Sequence, residues 1–323
     1  MQKNIAIVMG GYSSEAEISL KSGDVVYNSL DTNKYRLYKV YILKSKWFLM
    51  ENQKEYFINK DDFSVTIGED KIIFDCVFNA IHGDPGENGA LIAYFDLLGI
   101  KHTSAPFYQM ALTFNKRDTL SVVKEYGIKT ATSFYMHQRD EINTSKIIKK
   151  VGLPCFVKPN NAGSSFGISK VYKEEDLTTA IEKAYQEDAE ILIESFLDGT
   201  EVSVGVIQYQ GKVKVLPMTE IVSENDFFDY EAKYEGKSQE ITPARITKAA
   251  QRKVEKVAKK VYEILNMKGF SRSEYILVNG EPYFLEMNTV PGMTEESLLP
   301  QQAQEANISL SDLFDNAIQT ALN

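Results

Sequence analysis

Apolar residues run almost unbroken over 4–9 (NIAIVM) and 74–79 (FDCVFN), the pattern of buried strands in an α/β sheet. Between them, 36–43 and 47–50 read as further strands, and the polar stretch 51–70 reads as a surface excursion. Residues 87–98 form an amphipathic helix stopped by Gly99, and a first α/β unit ends near Ser104. A second unit begins with one helix over 107–126, carrying Lys116 and Arg117 in its middle and Gly127 as its stop. Helices over 145–151 and 174–186 then alternate with strands over 155–158, 168–171 and 190–194. Residues 201–208 and 212–217 make a hairpin about 209–211. No periodicity organises 218–243, and a stretch that long with mixed aromatics and charge (FFDYEAKY) reads as a lid. Ala249, Ala250, Val254, Val257, Val261 and Leu265 mark a helical core stripe. Strands over 272–278 and 282–287 follow, joined at Asn279-Gly280, a dipeptide suited to a type I′ turn. Two short helices close the pattern.

Composition narrows the classes. The chain has 323 residues, 43% hydrophobic and 25% charged, enough for two or three domains with their own cores. A net charge of −9 and a pI near 5.1 argue against a general binder of nucleic acid or anionic membranes. Two cysteines in apolar strand contexts, Cys76 and Cys155, exclude a disulfide framework. No apolar run approaches a membrane span, and the first residues lack a signal-peptide pattern, so a cytoplasmic protein is expected. Three histidines without H-E-x-x-H spacing offer no zinc site, and neither G-x-S-x-G nor a Walker A sequence occurs.

The chemistry gathers at glycine corners and on the last hairpin. After the first strand comes GGYSSE rather than GxGxxG, which disfavours a nicotinamide enzyme. Ser14 with Glu17 fits a capping box for the helix that follows. Glu15 sits where a phosphate would want no negative charge; it suits an ammonium group, or it is a first-turn acid on the helix dipole. IHGDPGENG, at a strand's C-terminal end, reads as a ligand loop, although a histidine in such a turn, here His82, more often serves structure. The loop PNNAGSSFG between two strands can fold over phosphates through backbone N–H groups, with Lys158 as a point charge at its start. Glu286 and Asn288 lie two apart on one strand face, and the hairpin returns Glu274 to them. Three oxygen-bearing side chains on an otherwise apolar strand suit Mg²⁺, with a solvated sheet edge as the plainer reading. Together these features suit phosphoryl transfer from a magnesium-bound nucleotide to a small acceptor.

The ordered blocks GGYSSEAEISLKSG, HGDPGENG, VKPNNAGSSFGISKV, EAKY and FLEMNTVPGMTEESL resemble the signature of the D-alanine–D-alanine ligases, members of the ATP-grasp superfamily. They cover nearly the whole chain, from Gly10 to Leu298. The resemblance implies an α/β protein of three α/β domains. An N-terminal open parallel-sheet domain (1–104) precedes a central ATP-grasp domain (105–195) and a C-terminal one (196–323), with a lid over 218–243. It implies ATP as co-substrate, two Mg²⁺ or Mn²⁺ ions, D-alanine as substrate, a homodimer, and a place in peptidoglycan precursor synthesis. One D-alanine carboxylate is phosphorylated and the amine of a second D-alanine displaces the phosphate.

By the same resemblance, Glu274, Glu286 and Asn288 hold the metal. Lys116, Lys158 and Lys233 face the ATP phosphates, Glu194 and Leu197 the adenine, and Glu201 the ribose. Glu15 holds the first D-alanine's ammonium, linked through Ser164 and Tyr234 to the loop and the lid, and His82 is a further substrate-binding candidate. Arg272 and the Gly292 N–H stabilise the oxyanion, and Ser297 and Leu298 receive the second carboxylate. Two positions depart from the family pattern: Glu274 stands where Asp is frequent, and Ser195 where a lysine is common. Tyr234 favours a dipeptide product over an ester-linked one. A non-catalytic nucleotide sensor on the same fold is the alternative from another class.

Overall fold

The computed structural model describes residues 2–161, 167–223 and 238–323. Three sheets organise the chain. The first has seven strands in the order β6-β5-β4-β3-β2-β1-β7. Its centre is β1 (Lys3–Gly11), whose residues from Ile5 to Met9 have no exposed surface. It is parallel to both β2 (Tyr35–Leu43) and β7 (Cys76–Asn79), as the unbroken apolar runs require. The sheet is mixed rather than wholly parallel. β3 (Trp47–Glu51), β4 (Lys54–Asn59), β5 (Ser64–Ile67) and β6 (Asp70–Ile72) continue it antiparallel, so the segment expected as a surface excursion is sheet. Three of its apolar residues, Ile58, Phe63 and Val65, are buried, while Phe57 is exposed, and the buried three supply the core contact that its polar composition hides.

α1 (Ala16–Ser29) covers this sheet, and Ser19 in it fastens the strand ends. The Ser19 hydroxyl accepts from the Gly10 N–H and donates to the Ala80 carbonyl. No side chain caps α1, so the Ser14–Glu17 box does not form; Ser13 Oγ instead accepts from the Glu15 N–H and donates to the His82 carbonyl. α2 (Ala90–Leu97) starts three residues later than expected, because Gly89 turns left-handed (φ +86°) and Asn88 Oδ1 accepts from the Ala90 N–H. The single helix expected over 107–126 is two, α3 (Phe107–Phe114) and α4 (Lys116–Glu125). Asn115 leaves helical geometry between them and caps α4 by accepting from the Asp118 N–H.

The second sheet, β10-β9-β11-β8, is antiparallel and carries α5 (Thr144–Val151) and α6 (Glu174–Ala184). It comprises β8 (Ser133–His137), β9 (Cys155–Pro159), β10 (Ser169–Val171) and β11 (Glu190–Ser195). β8 has no counterpart among the expected strands. Its residues SFYMH mix one buried apolar side chain with polar ones, and pairing with β11 decides it.

The third sheet is built on β12 (Thr200–Tyr209), with β13 (Lys212–Val215) paired to its end. β14 (Thr219–Ser223) and β15 (Ser238–Ile241) lie on one side, β16 (Phe270–Val278) and β17 (Glu281–Asn288) on the other. The two ends of the stretch expected as a structureless lid are therefore paired strands. Asn279 and Gly280 both have positive φ, as the I′ turn requires. α7 (Lys248–Ile264) packs Ala250, Val254, Ala258 and Val261 inward, a stripe at helical spacing. α8 (Leu298–Glu305) packs on β12, where Gln302 bonds the backbone of Ser203 and Gly205, and α9 (Leu310–Leu322) returns to the first sheet. There Phe314 meets Phe78 edge-on, and Lys34 and the Tyr35 hydroxyl both donate to Asp315. The first and third sheets thus share a core, while the second keeps an apolar cluster of its own.

Candidate active site

A cleft of about 440 Å³ opens between the second and third sheets. β9 and β11 present Lys158 and Glu194 to it, β16 and β17 present Glu274 and Glu286, and Lys116 enters from the start of α4. Lys158 Nζ lies 2.9 Å from Glu194 Oε2, and Ser133 Oγ donates to the other oxygen at 3.2 Å. Burial disfavours the charge on Lys158, but Glu194, Glu286 and Glu201 outweigh it and hold its pKa above the ordinary lysine value. A cation is thus kept ready at the foot of the cleft. Leu197 and Glu201 line its other end, beside Phe156 and Phe196. The Ser195 hydroxyl accepts from the Thr132 N–H and ties the strand end to the segment before β8.

The last hairpin sets the charges opposite one another. Its register places Glu274 against Glu286 and Arg272 against Asn288. Arg272 Nη1 reaches Glu274 Oε1 at 2.5 Å and Ser203 Oγ at 3.0 Å, and Lys116 Nζ lies 3.2 Å from Glu286 Oε2. Burial works against the Arg272 charge, while Glu274, Glu286 and Glu240 hold it firmly protonated. Among the described residues no three acidic, histidine or cysteine side chains gather as a metal cage. The candidate set is two carboxylates and one amide. A hard cation of the Mg²⁺ type fits such a set, because it draws its remaining ligands from phosphate oxygens and water.

A second cluster joins this hairpin to the first sheet. His82 is buried, and both ring nitrogens are engaged: Nδ1 donates to the Val290 carbonyl at 2.7 Å, and Nε2 lies 2.9 Å from Ser22 Oγ. Burial lowers the His82 pKa against the pull of Glu15, and Arg272 lowers it further, so the ring is neutral and Nε2 accepts from the Ser22 hydroxyl. Glu87, in the turn before α2, accepts at Oε1 from the Thr289 and Val290 N–H groups and at Oε2 from the Gly83 N–H. Burial, with the charge of Glu15 added, pushes the Glu87 carboxyl up to about 7. Gly83 has φ +65°, and a Cβ there would lie 2.8 Å from Ser13 Oγ and 3.1 Å from Glu15 Oε2, so glycine is what lets Glu15 approach. At the far end, Ser297 Oγ bonds Thr294 Oγ1 at 2.8 Å rather than capping α8, and Leu298 packs on Ile221 of the cleft wall.

Two family models match the chain: "D-ala D-ala ligase N-terminus" over 4–105 and "D-ala D-ala ligase C-terminus" over 122–319. The chain belongs to the D-alanine–D-alanine ligase family. It is 66% identical over 321 residues to the D-alanine–D-alanine ligase of Flavobacterium johnsoniae, covering 99% of each chain. It is 58% identical to that of Christiangramia forsetii over 324 residues, covering 100% of this chain and 99% of the relative. Among solved structures it resembles a D-Ala:D-Ser ligase from Enterococcus faecalis at 30% identity, with a TM-score of 0.86 and 99% of each chain covered. The Bacillus anthracis D-alanine–D-alanine ligase complexed with ATP matches at 26% identity and a TM-score of 0.79, over 99% of this chain and 97% of the other.

Against the ligase pattern, the fold brings Lys116, Lys158, Glu194, Leu197, Glu201, Glu274 and Glu286 to one cleft. Arg272 and Asn288 follow by their register on the same hairpin. Glu15 and His82 stand on the neighbouring cluster, where the charges of Glu15 and Arg272 both reach His82. Ser164, Lys233 and Tyr234 lie outside the described residues. Sequence reasoning misses Ser22 and Glu87. Glu87 stands inside the HGDPGENG block, where the pattern makes it only the first residue of a helix. Ser22 sits among buried helix positions, with no local signal that its hydroxyl serves another segment.

Proposed function

We propose that this protein joins two D-alanines into D-alanyl-D-alanine at the expense of ATP, as an ADP-forming ligase of cell-wall precursor synthesis. Membership of the ligase family over nearly the full chain supports the activity. The observation that carries the site is the meeting of Glu274, Glu286, Lys116 and Lys158 in the cleft between the two sheets, with Arg272 paired to Glu274 beside them.

In this reading the nucleotide lies in the cleft, with adenine toward Leu197 and Glu194, ribose toward Glu201, and phosphates toward Lys116 and Lys158. Lys233 completes the phosphate contacts. Glu274, Glu286 and Asn288 would hold magnesium or manganese, two ions in all, and the metal would neutralise phosphate charge as the γ-phosphoryl group moves. Glu15 holds the ammonium of the first D-alanine, with His82 behind it and Ser164 and Tyr234 completing the link. The carboxylate of that D-alanine then takes the phosphoryl group, the second amine attacks the acyl carbon, and phosphate leaves. Arg272 and the Gly292 N–H meet the negative charge that develops on the acyl oxygen. Ser297 and the Leu298 N–H, at an α8 N-terminus left open by its own cap residue, receive the second carboxylate.

The division into units at 1–104, 105–195 and 196–323, the lid over 218–243, the homodimer and the cytoplasmic setting belong to the same proposal. Among the described residues no helix is long and apolar enough to cross a membrane.

Phosphate release from Mg-ATP with D-alanine, with L-alanine and with no amino acid tests the reading. Release with D-alanine alone, and a dipeptide found by mass, is expected. ATP binding without release would move the assignment to a nucleotide sensor. The likeness to a D-Ala:D-Ser ligase makes D-serine and D-lactate the informative rival second substrates.

A further inference from the structure

α1 carries two serines with no exposed surface, Ser19 and Ser22. A hydroxyl buried in a helix is retained at a cost unless it answers polar groups elsewhere. Ser19 answers groups of its own sheet, the Gly10 N–H and the Ala80 carbonyl. Ser22 reaches across to the third sheet. Its oxygen accepts from the Met293 N–H at 3.3 Å while its proton goes to His82 Nε2, and the opposite nitrogen of that ring donates to the Val290 carbonyl. The chain from Ser22 through His82 therefore grips the 290–293 segment at both ends. Between the two grips lie only Pro291, whose ring fixes φ, and Gly292.

We propose that Ser22 is a positioning residue of the ligation step: with His82 it brackets the Pro291–Gly292 peptide, so that the Gly292 N–H is aimed at the developing oxyanion. This rests on the ligase reading given above. Ser22 touches no substrate in this scheme. Its contribution is to remove the freedom of an amide that would otherwise have to be ordered during the reaction. Beyond the bracket the chain runs out to the exposed Glu295 and Glu296 before Ser297 comes back beside the glycine. A misplacement of about 1 Å at such a donor costs on the order of a hundredfold in rate.

The test compares wild type, Ser22→Ala, His82→Gln and the double variant. Wild-type dipeptide synthesis is measured first, because its absence would remove the ligase reading itself. With synthesis present, Ser22→Ala is expected to lower kcat by about 10- to 100-fold and to leave the KM for ATP within about twofold. A phosphinate analogue of the dipeptide, which mimics the tetrahedral intermediate, should lose affinity by the same factor, while the Kd for ADP stays put. His82→Gln should give a loss of the same kind. The double variant should be no slower than the worse single one, because both act on one bracket. Wild-type kcat in Ser22→Ala overturns the proposal, as does equal weakening of ADP and the phosphinate, or a multiplicative double variant. Circular dichroism and the thermal midpoint with ADP bound check that each variant is folded. If Ser22→Ala does not fold, His82→Gln carries the same kinetic and phosphinate comparison, and its failure to separate analogue from ADP is equally decisive.

Discussion

Replacing Glu87 by glutamine should change how the stability of the protein depends on pH. The carboxylate of Glu87 accepts three backbone N–H groups, from Gly83, Thr289 and Val290. Those bonds favour its charged form, yet burial and the neighbouring charge of Glu15 outweigh them and raise its pKa from 4.5 to about 7. The folded protein therefore keeps this proton to higher pH than the unfolded chain does. The associated stability is complete below pH 4.5 and is lost as pH rises through about 7. Integrating the difference in bound protons between pH 5 and pH 8 gives a loss of about 2 to 3 kcal/mol, since a tenfold change in proton affinity is worth about 1.36 kcal/mol. Glutamine is neutral throughout and also loses the Gly83 contact when its amide faces that N–H, a cost that is constant with pH. The signature is thus the slope rather than the level: relative to wild type, Glu87→Gln should gain about 2 to 3 kcal/mol between pH 5 and pH 8. Urea unfolding at the two pH values can be followed at Trp47. It is the single tryptophan, packed edge-on against Tyr94 and Phe63 in the first sheet's core. Parallel pH profiles for the two proteins would refute the claim that Glu87 holds a proton in the folded state.

Arg272→Ala should fold and bind ADP, yet lose about a hundredfold or more in kcat, because it removes an oxyanion donor; dipeptide formation at the wild-type rate would take Arg272 out of the chemistry. Gly292→Ala places a Cβ 2.5 Å from Ser297 Oγ, so Ser297 must move. The KM for the second D-alanine should rise about tenfold, equal to about 1.4 kcal/mol, with the KM for ATP little changed, and an unaltered D-alanine saturation curve would count against Ser297 at that site. Chelation by EDTA should stop phosphate release, and added Mg²⁺ or Mn²⁺ should restore it; release that survives exhaustive chelation would remove the metal role of Glu274, Glu286 and Asn288.

Much of the cleft is legible because its residues announce themselves locally. Asn279-Gly280 specifies a two-residue turn, and alternation puts Glu286 and Asn288 on one face; the turn's own register would set Glu274 against Leu285, and the bulge between Glu274 and Tyr275, which the sequence does not announce, moves it opposite Glu286. The α7 stripe and the β1 run are legible for the same reason, since a 3.6-residue period or an unbroken apolar run has few other uses. Elements whose signal is shared with a partner are not legible. β8 exists because β11 pairs with it, and β4 to β6 are sheet because three buried apolar residues outweigh a polar sequence. The break at Asn115 hides inside an otherwise helical pattern. It serves Asn160, whose carbonyl accepts from the Lys116 N–H and whose Oδ1 accepts from the Arg117 N–H.

The sequence by itself determined the family, the alternation of elements and most of the charged inventory, because ordered motifs and hydrophobic periodicity are one-dimensional properties. Only the tertiary structure decided which polar groups answer one another across the chain. Glu87 is an unremarked helix residue until the end of the last hairpin folds back to offer it the N–H groups of Thr289 and Val290. Ser22 is a small core residue until Met293, 271 positions away, needs an acceptor. Contacts between segments so distant in the chain leave no periodic trace along it, since the free energy that fixes them is gained only when both segments are already packed.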